Sequence, residues 1–179
     1  MKVWDRFVRV AHWTLAGCVL TAWITGEIKH APAQRLHEWL GYVALAVIAL
    51  RVGWGLIGSR YARFAQFIAA PARTIEYAKA VLRRSEPRYL GHNPLGGWMI
   101  VALLVMATLA SLSGWLSITD RYWGVAWVQA AHEALSHVLM ALIVLHVAGV
   151  VFTSVRHGEN LVAAMWRGDK RPPEPGDVA

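Results

Sequence analysis

Residues 10–26 run from Val10 to Gly26 without a formal charge, and three windows of the same kind follow. Trp39 to Ser59 carries only Arg51, and neither Leu95 to Thr119 nor Ala134 to Val155 carries any. Lipid offers no partner to an exposed N–H or C=O, so a crossing segment must satisfy its own backbone, which about 20 mostly apolar residues in a helix achieve. The expected fold is therefore all-α, a four-helix transmembrane bundle with spans of about 8–28, 36–58, 94–118 and 131–155. Charge content agrees: 16% of residues are charged, against roughly 25% in a soluble domain. The basic start, the first apolar run and the Ala31-Pro-Ala33 triplet also have the outline of a cleaved signal peptide. The run is long for that, and three further spans follow, so the first is read as retained.

Basic residues set the orientation, because cytoplasmic loops keep Lys and Arg. The N-terminus holds Lys2, Arg6 and Arg9; the loop between spans two and three holds Arg60, Arg63, Arg73, Lys79, Arg83, Arg84 and Arg88; the tail holds Arg156, Arg167, Lys170 and Arg171. Only Lys29, Arg35 and Arg121 fall on the other side. Both termini are expected in the cytoplasm, and the chain is expected to be a multi-pass protein of a bacterial inner membrane. Positive charge placed beside spans reflects topology and attraction to membrane lipid. No zinc-finger spacing or Gly-rich phosphate loop accompanies it, so nucleic acid is not an expected partner.

Residues 1–157 are read as the membrane domain and 158–179 as a cytoplasmic tail. Within the cytoplasmic loop, "FAQFIAAPARTIEYAKAVLRR" mixes apolar with basic residues, and Pro71 suits a helix start. This predicts an interfacial helix between spans two and three. The tail "RGDKRPPEPGDVA" is polar and proline-rich, the composition of a disordered segment. The lone Cys18 lies in a span and is read as a small apolar filler. With one cysteine there is no C-x-x-C-H motif, so any haem must be held without thioether bonds.

The eight histidines are the anomaly. A polar side chain at membrane depth is costly and normally faces the bundle interior or a pathway, and one such histidine alone is most simply a packed residue bonded to a carbonyl. As a set they sort by depth. His12 lies near the cytoplasmic face of span one, His37 near the outer face of span two, and span four places His132 near the outer face and His146 deep toward the cytoplasm. His132 and His146 are fourteen residues apart, almost four turns, so they leave one helix face about 21 Å apart along the axis. His12 can meet His146, and His37 can meet His132. His137 points roughly 140° from His132 and is read as a packing residue.

Two histidines per level fall short of a tetrahedral zinc site, whereas haem iron takes four nitrogens from its porphyrin and needs only two axial ligands. Two bis-imidazole haems at two depths would conduct electrons across the bilayer. Arg51 follows His37 by fourteen residues and so shares its helix face. It could pair with a haem propionate or snorkel to headgroups, and both readings stand. The spans carry Gly17, Gly41, Gly53, Gly55, Gly97, Gly114 and Gly149, which permit close helix packing or make room for a planar ligand. His92 in "GHNPLGG" could help bind quinone or a propionate, with a loop histidine in contact with water as the simpler reading. His30 and His157 are read as solvated.

Five stretches, "VWDRFVRVAHW", "RLHEWLGY", "GHNPLGGWM", "HEALSHVLMALIVLH" and "GENLVAAMWRG", resemble the bacterial cytochrome b561 family and the related b-type cytochrome subunits of nickel-iron hydrogenases. The likeness covers nearly the full chain. It implies a four-helix membrane protein with two haem b groups that passes electrons between the quinone pool and a redox partner, such as a c-type cytochrome or another redox protein. Carried over by residue, it implies His12 and His146 as one axial pair and His37 and His132 as the other. Pairing of two copies as a homodimer stays open. The rival within the class is a superoxide oxidase that delivers electrons to ubiquinone. The rivals outside it are a histidine-based transmembrane metal-ion carrier and an assembly subunit with packing histidines.

Overall fold

The computed structural model describes residues 1–28 and 30–178. Lys29, one of the three basic residues assigned to the outer side, lies outside the described residues. Four long helices carry the apolar windows: α1 (Arg6–Gly26), α2 (Ala31–Ile57), α5 (Pro94–Ser117) and α6 (Ala126–Arg156). Between α2 and α5 lie a 3-10 turn (Arg60–Ala62), α3 (Phe64–Phe67) and α4 (Pro71–Leu82), and α7 (Leu161–Arg167) follows α6. All four long helices are long and apolar enough to cross a membrane. In the apolar window of α6 only 6% of residues are fully buried by protein, so much of its hydrocarbon is left uncovered. A surface of that kind is unstable in water and at home in lipid.

Helix ends follow local chemistry. Asp5 opens α1 by accepting from Val8 N at 2.8 Å, an anionic cap where the helix dipole is positive. Its carboxylate also accepts from Trp54 Nε1 at 2.9 Å and Ser59 Oγ at 2.5 Å. Burial raises the Asp5 pKa, but these hydrogen bonds outweigh it and hold the group below the usual carboxylate range. α4 opens at Pro71, as the sequence predicts, with proline in the first turn. Asn93 caps α5 by accepting from Gly96 N at 2.7 Å. α6 begins at Ala126, earlier than the expected span, because a helix continues past the hydrocarbon wherever its backbone bonds remain satisfied.

The chain divides into two compact units. One comprises Val10–Val52 and Ala102–Ile143. Its core is built from all four long helices: Leu15 and Val19 from α1, Ile48 from α2, Ala107 and Ala110 from α5, and Leu135, Leu139 and Ile143 from α6. The small residues of α5 let neighbouring helices approach closely, as lipid-embedded bundles require. Cys18 is buried and free here, in keeping with a packing role.

The other unit comprises Met1–Arg9, Gly53–Val101 and Val144–Ala179. Its core gathers Val3, Trp4, Tyr61, Leu90 and Ala164. The stretch "GENLVAAMWRG" is a capped helix: Asn160 Oδ1 accepts from Ala163 N at 2.8 Å, and Gly168 at φ +92 ends α7. A Cβ at Gly168 would lie 2.8 Å from the Trp4 carbonyl oxygen, so glycine is required there on two counts. The Gly168 carbonyl accepts from Val3 N at 2.9 Å and Trp4 N at 3.1 Å, which ties the first residues to the last helix.

The tail departs from its expected disorder. Arg88 donates to Asp177 at 2.6 Å and to Glu159 at 2.9 Å, and Lys170 Nζ reaches Glu159 at 3.2 Å, with all four side chains buried. Val178 and Leu90 extend the contact with backbone bonds of 2.9 Å. Burial pushes the Glu159 pKa up, but Arg88, the Arg171 amide and Lys170 together pull it below its ordinary value. Composition suggested a solvated tail. Charge pairing with residues far back in the chain docks it instead.

Candidate functional site

His37 and His132 come together. Both belong to the unit of residues 10–52 and 102–143, and their ring centroids are 5.9 Å apart with perpendicular planes. His37 Nδ1 lies 2.8 Å from the Ala22 carbonyl oxygen, and His132 Nδ1 lies 2.9 Å from that of Ala110. A carbonyl can only accept, so each Nδ1 carries the proton and each Nε2 keeps its lone pair. This arrangement fixes tautomer and ring orientation in a metal-binding histidine. Ser113 Oγ donates to the Ala110 carbonyl at 2.9 Å and lies 3.2 Å from His132 Nδ1, where it can accept a share of the same proton.

Glycines make room for the rings. A Cβ on Gly114 of α5 would meet His132 Cε1 at 2.9 Å and Nδ1 at 3.2 Å. A Cβ on Gly26, at the end of α1, would meet His37 Cε1 at 3.3 Å. Of the span glycines singled out in the sequence, Gly114 thus clears space for the His132 ring, while Gly17, Gly41, Gly53 and Gly149 would meet no protein atom within 4 Å. Gly97 and Gly55 serve packing, against the Phe67 backbone and the Phe64 ring respectively.

With each Nδ1 turned to a carbonyl and the ring centres 5.9 Å apart, the two Nε2 lone pairs would be available to one metal ion, and two protein nitrogens are what a haem iron would take from the chain. A bare tetrahedral ion fits less well: among the described residues no group of three or more His, Cys, Asp or Glu is gathered to hold one.

His12 and His146 fall in separate units, the first with His37 and His132, the second with residues 144–179. Each is half-buried. His12 stands edge-on to Trp13 at 5.0 Å. The structure describes these two histidines one by one, and their pairing rests on the sequence. Arg51 is buried, 6% exposed. An arginine snorkelling to headgroups would be more open than this.

The remaining histidines divide. His137 donates from Nδ1 to the Glu133 carbonyl at 2.8 Å and stands edge-on to Trp23 at 5.1 Å, a local packing role as expected. His30 is exposed, and its carbonyl accepts from Ala33 N at 3.0 Å where α2 starts. His157 is half-buried rather than solvated; burial lowers its pKa first, with Arg156, Arg88 and Lys170 adding to that and Glu86 opposing it. His92 is not the water-exposed loop residue of the simpler reading. Its ring lies between Trp4 at 4.5 Å and Phe67 at 4.8 Å. Nothing local in "GHNPLGG" announces this clamp, because both walls come from distant sequence.

The family model described as prokaryotic cytochrome b561 matches residues 3–168. A protein of Bradyrhizobium diazoefficiens named "Probable Ni/Fe-hydrogenase B-type cytochrome subunit" is 23% identical over 214 aligned positions, which cover 94% of this chain and 85% of that one. One of the same name from Azotobacter vinelandii is 24% identical over 220 positions, covering 95% and 90%. No solved structure matches the chain significantly.

Proposed function

The chain belongs to the prokaryotic cytochrome b561 family, and from that premise we propose that it is a dihaem electron carrier linking the quinone pool to a redox partner across the inner membrane. Membership makes it a multi-pass membrane cytochrome of b type, which implies haem b. The observation that carries the finer reading is the His37–His132 couple, 5.9 Å between ring centres, with both Nδ1 protons committed to carbonyls.

In this reading His37 and His132 hold one haem, and His12 and His146 hold the second. Bound haem iron supplies a one-electron ferric–ferrous couple. The protein's part is positional. The Ala22 and Ala110 carbonyls keep both imidazoles in the tautomer that presents Nε2, so the rings need little reorganisation when charge changes at a ligand. Buried Arg51 supplies a fixed cation for a propionate. If His37 and His132 both hold the iron, a small substrate would find no free site on it, which would favour outer-sphere transfer.

The partner class that the relatives' names support is a hydrogenase; a c-type cytochrome is the alternative redox partner in this reading. The excess of basic residues in the N-terminal stretch, the loop between α2 and α5 and the tail supports a cytoplasmic side for both termini. Purified protein should show a b-type visible spectrum that sharpens on reduction with dithionite, with two haems per chain by pyridine haemochrome assay. His132→Ala should retain one. A colourless protein carrying zinc or copper would overturn the reading, as would an H132A protein that keeps both haems.

A further inference from the structure

The unit of residues 1–9, 53–101 and 144–179 carries an open groove of about 610 Å³ between the end of α4 and the last turns of α6. Its walls are Val81 and Leu82 on one side and Phe152 and Val155 on the other, with Arg84 and Arg156 at the rim. Leu82 is 85% exposed and Val155 80%. Two apolar walls and a cationic rim match a molecule that is hydrocarbon along its length and anionic at one end.

Position supports that match. α6 runs uncharged from Ala134 to Val155, and Arg156 is the first charge after it. The groove therefore spans the point where hydrocarbon gives way to headgroups. The Arg156 guanidinium is fixed there: Nε donates to Glu86 at 2.8 Å, and Nη2 donates to the Arg84 carbonyl. Glu86 offsets one positive charge, while Arg83 and Arg84, both exposed, keep the rim cationic.

Arg84 carries the second observation. It has φ +57, the sole non-glycine at positive φ among the described residues. Ser85 N donates to the Ala80 carbonyl at 2.9 Å and Arg84 N to that of Val81 at 3.0 Å, so Arg84 occupies the left-handed position of a Schellman cap on α4. Glycine is usual there because a Cβ crowds the following carbonyl. The chain accepts that strain and places a cation at the groove.

We propose that this groove binds one anionic phospholipid, with an acyl chain along Leu82, Phe152 and Val155 and the headgroup phosphate between Arg84 and Arg156. The substitution that tests it is Arg84→Gly, which removes the cation and relieves the backbone at once. Full-length protein, delipidated in neutral detergent, is titrated with phosphatidylglycerol, with phosphatidylcholine of the same acyl chains, and with inorganic phosphate, and its unfolding midpoint is followed. A ligand of the native state raises that midpoint by mass action. Phosphatidylglycerol should protect at lower concentration than phosphatidylcholine, and phosphate should not protect. R84G, whose midpoint without lipid should be no lower than that of the wild type, should need about fivefold more phosphatidylglycerol, the loss of one cation near a charged surface. Equal protection by phosphatidylcholine, protection by phosphate alone, or an unshifted R84G titration would overturn the assignment.

Discussion

Gly114→Ala puts one methyl group against the ring of His132. The added Cβ would lie 2.9 Å from Cε1 and 3.2 Å from Nδ1, closer than carbon and ring atoms tolerate. The neighbour is a ring already pinned by the 2.9 Å bond from Nδ1 to the Ala110 carbonyl, so it can yield only by stretching that bond. Loss of a partner for a buried polar group costs about 1–3 kcal/mol, and each 1.4 kcal/mol is tenfold in an equilibrium. The expected result is roughly a tenfold weaker hold on the haem at this pair, with the helices intact. Haem content per chain, measured while apo-protein is reloaded with haem, reads it directly, and circular dichroism reports the fold. Gly26→Ala is the milder companion: its Cβ would meet His37 at 3.3 Å, and it should lose less. A G114A protein that binds haem as tightly as the wild type would refute the claim that this glycine exists to seat the histidine.

Three further outcomes follow from the docked tail and the buried arginine. Glu159→Gln leaves Lys170 and part of Arg88 without their counter-charge, and should cost about 3 kcal/mol, the lower end for a broken buried pair because Asp177 still meets Arg88; denaturant titration in detergent checks it, and a change under 1 kcal/mol would show the network to be decorative. The carboxyls of Asp5, Glu86 and Glu159 have folded-state pKa values below their ordinary ones, so the stability they contribute is full above the ordinary carboxylate range and is lost as pH falls through the depressed values. Unfolding midpoints should therefore drop on acidification below about pH 4.5, and E159Q should flatten that drop. Arg51→Gln should lower the reduction potential of one haem by roughly tens of millivolts, since a cation near the iron favours the reduced form; unchanged potentials for both haems would remove Arg51 from the cofactor's surroundings.

The spans were legible because lipid imposes one rule on the backbone, and an uncharged run from Ala134 to Val155 can obey it in only one way. The meeting of His37 with His132 was legible for a related reason: spans two and four run the same way, so both residues sit at the same end of their helices. The docked tail was not legible. Arg88, Glu159, Lys170 and Asp177 each look like an ordinary surface charge, and ion pairs closed across long stretches of chain leave no local pattern. The clamp on His92 was hidden likewise, since Trp4 and Phe67 stand far from it in the sequence and only the fold sets them against the imidazole. The role of Gly114 lay between the two cases. A glycine in a span signals close approach, but the sequence does not say to what.

The unit that holds Arg88 is assembled from three separate stretches of chain, and both acids that neutralise it, Glu159 and Asp177, come from the last of them. Arg88 is therefore made long before its counter-charges, and these buried pairs can close only after all four long helices have been synthesised.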